Sequence, residues 1–311
     1  MPNTAPSPGR AVLVLGAAGF IGRHLVERLV RQGTRVVAAT RAACEFDHPL
    51  VTNRIGEFTR PVDFATLLDQ CGAVIHAASQ STPGSASATP QVDGNLRTTL
   101  ALVEALQNAP DCRCIYLSSA GTLYGERSTP ARETDPLHPR SYHGAGKAAA
   151  EHFLQAWSSQ YRGTAMILRP TNVYGPGQFA QKGFAIVPTA MNCALTGASL
   201  HIYGDGSQIR DYIHVTDLVA LCVDALRHPV EPSCHVYNAS SGHAINLNQL
   251  LSLIEDSTGR TINRMYRPAR ISDIRTILVS SHSAQETFGW SPAITLDQGL
   301  EETWQWHVSR I

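Results

Sequence analysis

The 311-residue chain has the composition of a compact folded protein, since 43% of its residues are hydrophobic and 25 basic residues balance 25 acidic ones. This composition argues against an intrinsically disordered chain, and the lack of a basic stripe argues against nucleic acid as a partner. No apolar run approaches the roughly 18 residues that a membrane helix needs, so no membrane partner is expected either. The first ten residues also lack the apolar core of a secretory signal.

The seven cysteines are odd in number and scattered along the chain, without the spacing of a disulfide framework or a zinc site. The 13 histidines likewise show no metal-ligand spacing. We therefore expect reduced thiols, no bound metal and a cytoplasmic location.

Short apolar runs alternate with amphipathic stretches over the first 170 residues, which predicts βαβ units and a parallel sheet. In chain order the pattern predicts a strand at 11–15, a helix at 20–31, strands at 35–39 and 73–76, a helix at 96–106, a strand at 113–117, a long helix at 141–161 and a strand at 165–168. A loop rich in Ser, Thr, Pro and Gly is expected at 80–90.

The alternation becomes less regular after Pro170, and Gly-containing clusters at 174–177 and 203–206 mark turns. A strand near 235–237 is expected to return to the main sheet, and helices are expected near 247–257 and 296–307. The predicted fold is α/β, a doubly wound parallel Rossmann sheet with a second, smaller α/β substrate lobe. We assign residues 10–171 to the dinucleotide-binding domain, with a return at about 205–240, and residues 172–204 and 241–311 to the lobe.

Three glycines, Gly16, Gly19 and Gly22, lie between a predicted buried strand and a predicted helix. Glycine is needed there because the backbone must turn tightly and approach a pyrophosphate without a Cβ in the way. The helix N-terminus then offers free N–H groups to the anion. This context predicts a dinucleotide site.

The second predicted strand is followed by Thr40 and Arg41, where an acidic residue would usually hold the ribose hydroxyls of NAD. A guanidinium at this place suits the 2′-phosphate of NADP. Arg41 could also be an ordinary exposed arginine, so the choice between NAD and NADP stays open.

Several motifs together resemble the NAD-dependent epimerase/dehydratase family of extended short-chain dehydrogenases/reductases. They are the three-glycine turn, His76-Ala-Ala-Ser79, Asn95, Ser118-Ser119 through Tyr124-Gly125, Lys147 with Glu151, Arg169-Pro-Thr-Asn172 through Gly177, Arg210-Asp-Tyr-Ile-His214, Arg270 with Asp273, and Gly289-Trp-Ser-Pro292. The match spans nearly the whole chain in the right order. It implies an enzyme that oxidises and re-reduces a sugar hydroxyl on a tightly bound NAD or NADP.

The resemblance also implies which residues meet each ligand. Those expected at the cofactor are Gly16, Gly19, Phe20, Ile21, Gly22, Arg41, Glu57, Phe58, Ala77, Ala78, Asn95, Lys147 and Pro170. Those expected at a nucleotide-sugar, which the resemblance implies to be UDP-linked, are Ser79, Thr122, Asn172, His201, Tyr203, Arg210, Arg270 and Asp273. It further implies a homodimer through a four-helix bundle built from the helices at 96–106 and 141–161.

The family uses a tyrosine as acid/base, four residues before a lysine, with a serine or threonine sharing the hydrogen bond. Lys147 fits the lysine. Ala120 occupies the place of the common serine, so Thr122 is the candidate for binding the reacting hydroxyl, with Ser119 as the alternative.

The acid/base position departs from the family pattern, because His143 stands four residues before Lys147 and Tyr142 stands five before. On a regular helix only the residue four positions away shares a face with the lysine. Three interpretations stay open. His143 replaces the tyrosine, helped by an unperturbed pKa of about 6.5; the helix starts late or bulges, so that Tyr142 enters the site; or proton transfer is lost and the protein only binds.

A 4,6-dehydratase of this family would need an Asp-Glu pair where this chain has Gly121 and Thr122. We therefore expect a nucleotide-sugar 4-epimerase that acts on a UDP-hexose or UDP-N-acetylhexosamine through a transient 4-keto sugar. The alternatives are an NADP-dependent nucleotide-sugar ketoreductase and a catalytically impaired nucleotide-sugar-binding protein.

Overall fold

A computed structural model describes residues 9–43, 46–80, 84, 87–180, 185–269 and 273–310. The strands are β1 (Ala11–Leu15), β2 (Val36–Thr40), β3 (Val51–Ile55), β4 (Cys71–His76), β5 (Arg113–Leu117), β6 (Ala165–Pro170), β7 (Asn172–Tyr174), β8 (Leu200–Tyr203), β9 (Ile209–His214), β10 (Cys234–Ala239), β11 (Ala244–Asn246) and β12 (Arg264–Arg267).

The helices are α1 (Phe20–Arg31), α2 (Val62–Leu68), α3 (Thr89–Gln91), α4 (Arg97–Leu106), α5 (Ala120–Leu123), α6 (Tyr142–Tyr161), α7 (Ile186–Thr196), α8 (Val215–Arg227), α9 (Leu247–Thr258), α10 (His282–Phe288) and α11 (Leu296–Val308). A π-helical turn, Val92–Leu96, joins α3 to α4. No helix in the described ranges is both long and apolar enough to cross a membrane.

The main sheet of the described chain contains seven parallel strands in the order β3-β2-β1-β4-β5-β6-β10. Its central strands are buried along their whole length, as expected of a parallel sheet with helices on both faces. One face packs against α1 and α8 through Leu25 and Leu218, and the other against α2 and α6 through Phe64 and Leu154. The strand order reverses between β1 and β4, so the ligand crevice opens outside their carboxyl ends.

A smaller lobe is built from mixed sheets. Within the described residues, β11, β9 and β7 form a three-stranded sheet, and β12 pairs in parallel with β8. Helices α7, α9 and α11 pack around Met191, Leu250 and Trp304. The predicted α/β fold, a Rossmann sheet with a smaller substrate lobe, is confirmed.

Packing crosses the predicted domain boundaries in both directions. β9 lies within the predicted return at 205–240, yet it pairs with strands of the small sheet. Helix α10 lies within the predicted lobe, yet its Phe288 packs against Tyr237 of β10, with ring centroids 4.7 Å apart. The structure also contains elements that the periodicity did not predict, among them β3, α2, α8 and α10. The boundaries themselves stay a prediction.

Candidate active site

The glycine-rich turn after β1 has the close contacts that a pyrophosphate site requires. Gly16 has a φ of +87°, and a Cβ placed there would lie 2.7 Å from the Cα of Ala78. A Cβ on Gly22 would lie 2.1 Å from the carbonyl oxygen of Gly16. Gly19 is exposed and precedes α1, and no side chain caps the helix N-terminus. The N–H groups of Phe20 and the residues after it are therefore available to an anion, and this geometry fits a bound dinucleotide.

The residues predicted for the far end of the cofactor lie at and after the ends of β2 and β3. Thr40 is buried, and its hydroxyl donates to the carbonyl oxygen of Ala42 at 2.8 Å, whereas Arg41 is exposed. Glu57 is exposed, and Phe58 is buried against Phe64, with ring centroids 5.7 Å apart. A hollow of about 530 Å³ lies at the end of β3 and is lined by residues 54–60, Asp63, Thr66 and Leu67.

The segment after β4 is held by a buried amide. Asn95 lies in the π-helical turn, and its side-chain oxygen accepts a hydrogen bond from the backbone N–H of Gln80 at 2.7 Å. The Asn95 amide nitrogen donates to Gln91 at 3.2 Å. Ser79 next to this anchor is exposed, while Pro170 ends β6 in a buried position. Asn95 thus shapes the loop that follows Ala77 and Ala78.

The start of α6 decides which side chain faces the site. Ser141 caps the helix by accepting a hydrogen bond from Gly144 N at 3.1 Å, and the helix is continuous from Tyr142. His143 and Lys147 are buried on one face, 7% and 6% exposed, while Tyr142 is 50% exposed. The late start or bulge that would bring Tyr142 inward is absent from α6, all of whose residues the structure describes.

Lys147 lies over the end of β5. Its ammonium donates to the carbonyl oxygen of Leu117 at 2.7 Å and lies 4.7 Å from the centroid of the Tyr116 ring. Burial lowers the pKa of Lys147 to about 8, although the carboxylate of Glu151 opposes this shift. A large fraction of the ammonium therefore loses its proton only one to two pH units above neutrality.

Thr122 lies beside the same turn of α6. A Cβ placed on Gly144 would lie 2.3 Å from the Thr122 carbonyl oxygen, so α5 and α6 are in close contact. Ser119 precedes α5 in an extended conformation, and the Thr122 hydroxyl is 3.4 Å from its carbonyl oxygen. Asn172 approaches the neighbouring Gly121, with 4.0 Å between its Oδ1 and the position of a glycine Cβ. The structure thus brings the predicted hydroxyl, acid/base and lysine positions together.

Beneath these residues lies a buried polar network to which the sequence analysis assigned no role. Arg169 donates to Oε1 of Glu151 at 3.1 Å and to Oε2 at 2.6 Å, and it donates to the Tyr124 hydroxyl at 2.6 Å. Ser118 donates to Glu151 at 2.5 Å, and Tyr124 donates to Asn238 at 2.7 Å. The signal in the sequence was Glu151, an acidic residue one helical turn after Lys147 and on the same buried face.

The predicted diphosphate residues have partners of their own. The Arg210 guanidinium donates to the carbonyl oxygens of Ile209 and Ile274, both at 2.7 Å, and burial lowers its pKa. The Asn172 amide donates to the carbonyl oxygen of Asp211 at 2.8 Å. Asp273 is exposed near Arg210, and Arg270 lies outside the described residues. Arg210 therefore holds the segment after Asp273 against β9.

The predicted base-binding residues lie on β8. Tyr203 is 41% exposed, and His201 accepts a hydrogen bond from Arg267 of β12 at 3.3 Å. Among the described residues, no group of three His, Cys, Asp or Glu side chains lies close enough together to hold a metal ion.

Most of the chain is similar to proteins of known family. Residues 12–240 match the NAD dependent epimerase/dehydratase family. A UDP-glucose 4-epimerase from Mycolicibacterium smegmatis is 30% identical over 94% of this chain and 96% of its own. The crystal structure of a UDP-glucose 4-epimerase from Thermotoga maritima with UDP-glucose has a TM-score of 0.89, with 28% identity over 96% of this chain and 99% of its own.

The structure of the Thermus thermophilus UDP-glucose 4-epimerase in complex with NAD has a TM-score of 0.88, with 26% identity over 97% of this chain and 100% of its own. The glycine turn and the buried lysine of α6 described above are consistent with these similarities. The chain belongs to the NAD-dependent epimerase/dehydratase family.

Proposed function

We propose that the protein is a nucleotide-sugar 4-epimerase that acts on a UDP-hexose or UDP-N-acetylhexosamine, with His143 as its acid/base. The observation that carries the proposal is the arrangement of α6, in which His143 shares the buried face with Lys147 while Tyr142 points away. His143 directly precedes Gly144 in α6, and the Thr122 carbonyl packs against Gly144. A hydroxyl group bound by Thr122 would thus have a base beside it.

The roles follow from the charge of each group. The Lys147 ammonium lies one helical turn from His143, on the same buried face of α6. Neutral His143 can take the proton of the sugar C4 hydroxyl and return it later. Thr122 accepts or donates a hydrogen bond at the same hydroxyl. Gly121, at one place of the dehydratase Asp-Glu pair, carries no group that could move a proton at C5 or C6.

A bound nicotinamide cofactor supplies reversible hydride acceptance in this family. In this chain the glycine turn and the open N-terminus of α1 would hold its pyrophosphate, and the Lys147 ammonium would meet its nicotinamide ribose. Ala77, Ala78 and Pro170 at the ends of β4 and β6 would line its path across the sheet. Arg210 and Asn172 would meet the diphosphate of the sugar nucleotide, and Tyr203 would cover its uracil.

The second candidate is an NADP-dependent nucleotide-sugar ketoreductase. It is favoured by the end of β2, where Thr40 is occupied with Ala42 and exposed Arg41 could pair with a 2′-phosphate. A reductase exchanges its cofactor with the medium at each turnover, whereas an epimerase retains it.

The test is proton NMR of the purified protein with UDP-glucose and with UDP-N-acetylglucosamine, each with NAD and with NADP. The galacto epimer is expected, and His143→Ala should lower its rate by roughly 10²- to 10⁴-fold, the usual contribution of a general acid/base. Tyr142→Phe is the matched variant and should retain turnover; loss of turnover there would assign the role to Tyr142.

If the wild-type protein forms no epimer, the epimerase proposal is wrong. NADPH oxidation with a 4-keto sugar nucleotide would then identify the reductase. Binding of UDP and cofactor without either reaction would identify a catalytically impaired binding protein.

We further propose a cytoplasmic homodimer formed through a four-helix bundle of α4 and α6. The outward side of α6 carries Phe153 and Tyr161, which are 44% and 39% exposed, and Val92 before α4 is 51% exposed. Apolar side chains on adjacent helices favour burial against a second copy. Light scattering at micromolar concentration should give twice the 33.6 kDa chain mass; a monomer would contradict the dimer.

A further inference from the structure

One face of α6 contacts the segment 117–124 at three successive levels. Gly144, Lys147 and Glu151 are spaced by three and four residues, so they lie above one another on the helix. At the middle level Lys147 donates to the Leu117 carbonyl oxygen at 2.7 Å, and at the last level Glu151 accepts from Ser118 at 2.5 Å. At the first level the Thr122 carbonyl lies against Gly144. The segment that carries the candidate hydroxyl is thus fixed to the helix that carries the candidate base.

The contact at Gly144 is the one that depends on a missing side chain. A Cβ at this position would lie 2.3 Å from the Thr122 carbonyl oxygen and 3.0 Å from the Cβ of Pro139. The glycine has helical geometry, so no special dihedral angle requires it. Glycine within a helix costs roughly 0.5–1 kcal/mol relative to alanine. The close approach of Thr122 therefore accounts for a residue that helix propensity disfavours.

We propose that Gly144 is a positioning residue of the acid/base site, whose bare backbone lets the Thr122 carbonyl seat on α6 and so sets the spacing between the Thr122 hydroxyl and the His143 imidazole. The inference rests on the proposed function for its catalytic consequence. Gly144 itself touches no reacting atom; it acts through Thr122. The Glu151–Ser118 hydrogen bond anchors the other end of the segment, so movement at Gly144 is taken up at Thr122.

A methyl group at position 144 cannot fit beside the carbonyl without moving it. A shift of about 1 Å in a reacting group can lower a rate by about 10²-fold. The groups proposed for the diphosphate and the uracil, Arg210 and Tyr203, lie on other elements. The substitution should therefore lower kcat by a larger factor than it raises KM for the sugar nucleotide.

Gly146 provides the matched control, because it lies in the same turn of α6 and is also helical. A Cβ there would lie 3.4 Å from the Cβ of Gln91, an ordinary van der Waals contact. Gly146→Ala gains the same helix propensity without meeting the Thr122 segment. Both variants should fold, and a difference between them reports the contact at Gly144.

The experiment compares Gly144→Ala with Gly146→Ala by two readouts. In the epimerase assay, kcat should fall roughly 10- to 100-fold in Gly144→Ala only. In protein labelled at threonine methyls, the Thr122 resonance, identified by its loss in Thr122→Ser, should shift in Gly144→Ala and stay in place in Gly146→Ala. The methyl readout needs no substrate, so it holds even if the wild type shows no turnover.

Each outcome decides something. An unshifted Thr122 methyl in Gly144→Ala overturns the inference, whatever the activity. A shifted methyl with wild-type kcat overturns its catalytic part. An inactive wild type with a shifted methyl disproves the epimerase proposal, while the seat of Thr122 on Gly144 stands.

Discussion

Two glutamate–arginine pairs, one in each half of the molecule, show how differently the halves use charge. Glu151 and Arg169 join α6 to β6, and their side chains are only 5% and 6% exposed. Glu255 and Arg264 join α9 to β12 in the lobe, and their side chains are 23% and 22% exposed. The first pair is completed by Ser118 and Tyr124; the second shares Glu255 with a backbone N–H.

The two halves differ in which charged and polar side chains are fixed by burial. In the half that contains the seven-stranded sheet, ionised groups taken out of water are bound to one another and support the segment that carries Thr122. In the lobe, polar side chains such as His201 and Tyr203 keep contact with solvent. Buried groups that bind one another thus lie under the proposed catalytic residues, whereas solvent-exposed side chains lie at the proposed nucleotide-sugar site.

The largest effect is expected from a substitution that removes one charge of the buried Glu151–Arg169 pair. Glu151→Gln keeps the shape of the side chain but leaves the Arg169 guanidinium buried without a counter-charge, which should lower the free energy of unfolding by about 3–5 kcal/mol. Glu255→Gln makes the same change in the lobe, where water screens the remaining arginine, and should cost about 1 kcal/mol or less. Urea unfolding of the two variants measures both values. Equal losses would mean that burial does not distinguish the pairs.

The sequence predicts the central strands and α1 well because they depend on local pattern. β1 and α1 have the predicted bounds, since a buried apolar run and an amphipathic stretch are visible without tertiary information. β3 escaped prediction because its residues are half exposed at the edge of the sheet and include polar side chains. α8 also escaped prediction, although its polar and apolar residues recur with helical spacing, because the less regular alternation after Pro170 was interpreted only as turns and a returning strand.

At the candidate site, the sequence indicates spacing along α6 but no partner from another element. Four residues between His143 and Lys147 already place both on one face. The Glu151 network joins Ser118, which follows β5, to residues of β6 and β10 that are far apart in the chain, so no local pattern reveals it. The contact of Gly144 with Thr122 likewise becomes visible only when α5 is placed against α6.

Two histidines that burial keeps neutral, one beneath the site and one in the small sheet, allow a second comparison with a smaller expected effect. Burial, with a contribution from Lys147, lowers the pKa of His76 to about 3 beneath the site. In the small sheet, burial, with a contribution from His24, lowers the pKa of His214 to about 4. The His214 ring packs against Tyr174, its Nε2 lies 3.7 Å from Glu302, and its Nδ1 caps α8 at the N–H of Thr216.

His214→Asn removes the ionisable imidazole and keeps a side chain that can cap α8, because asparagine is a good residue at a helix N-terminus. The folded-state pKa of His214 lies below its unfolded value of about 6.5, so between these values the unfolded chain binds a proton that the folded chain does not. Stability should therefore fall as pH drops below 6.5, and from pH 7 to 5 the wild type should lose about 2 kcal/mol more than the variant. Urea unfolding across this range measures the difference. Parallel curves for the two proteins would mean that the pKa of His214 in the folded chain is close to its unfolded value, so that burial does not keep this histidine neutral.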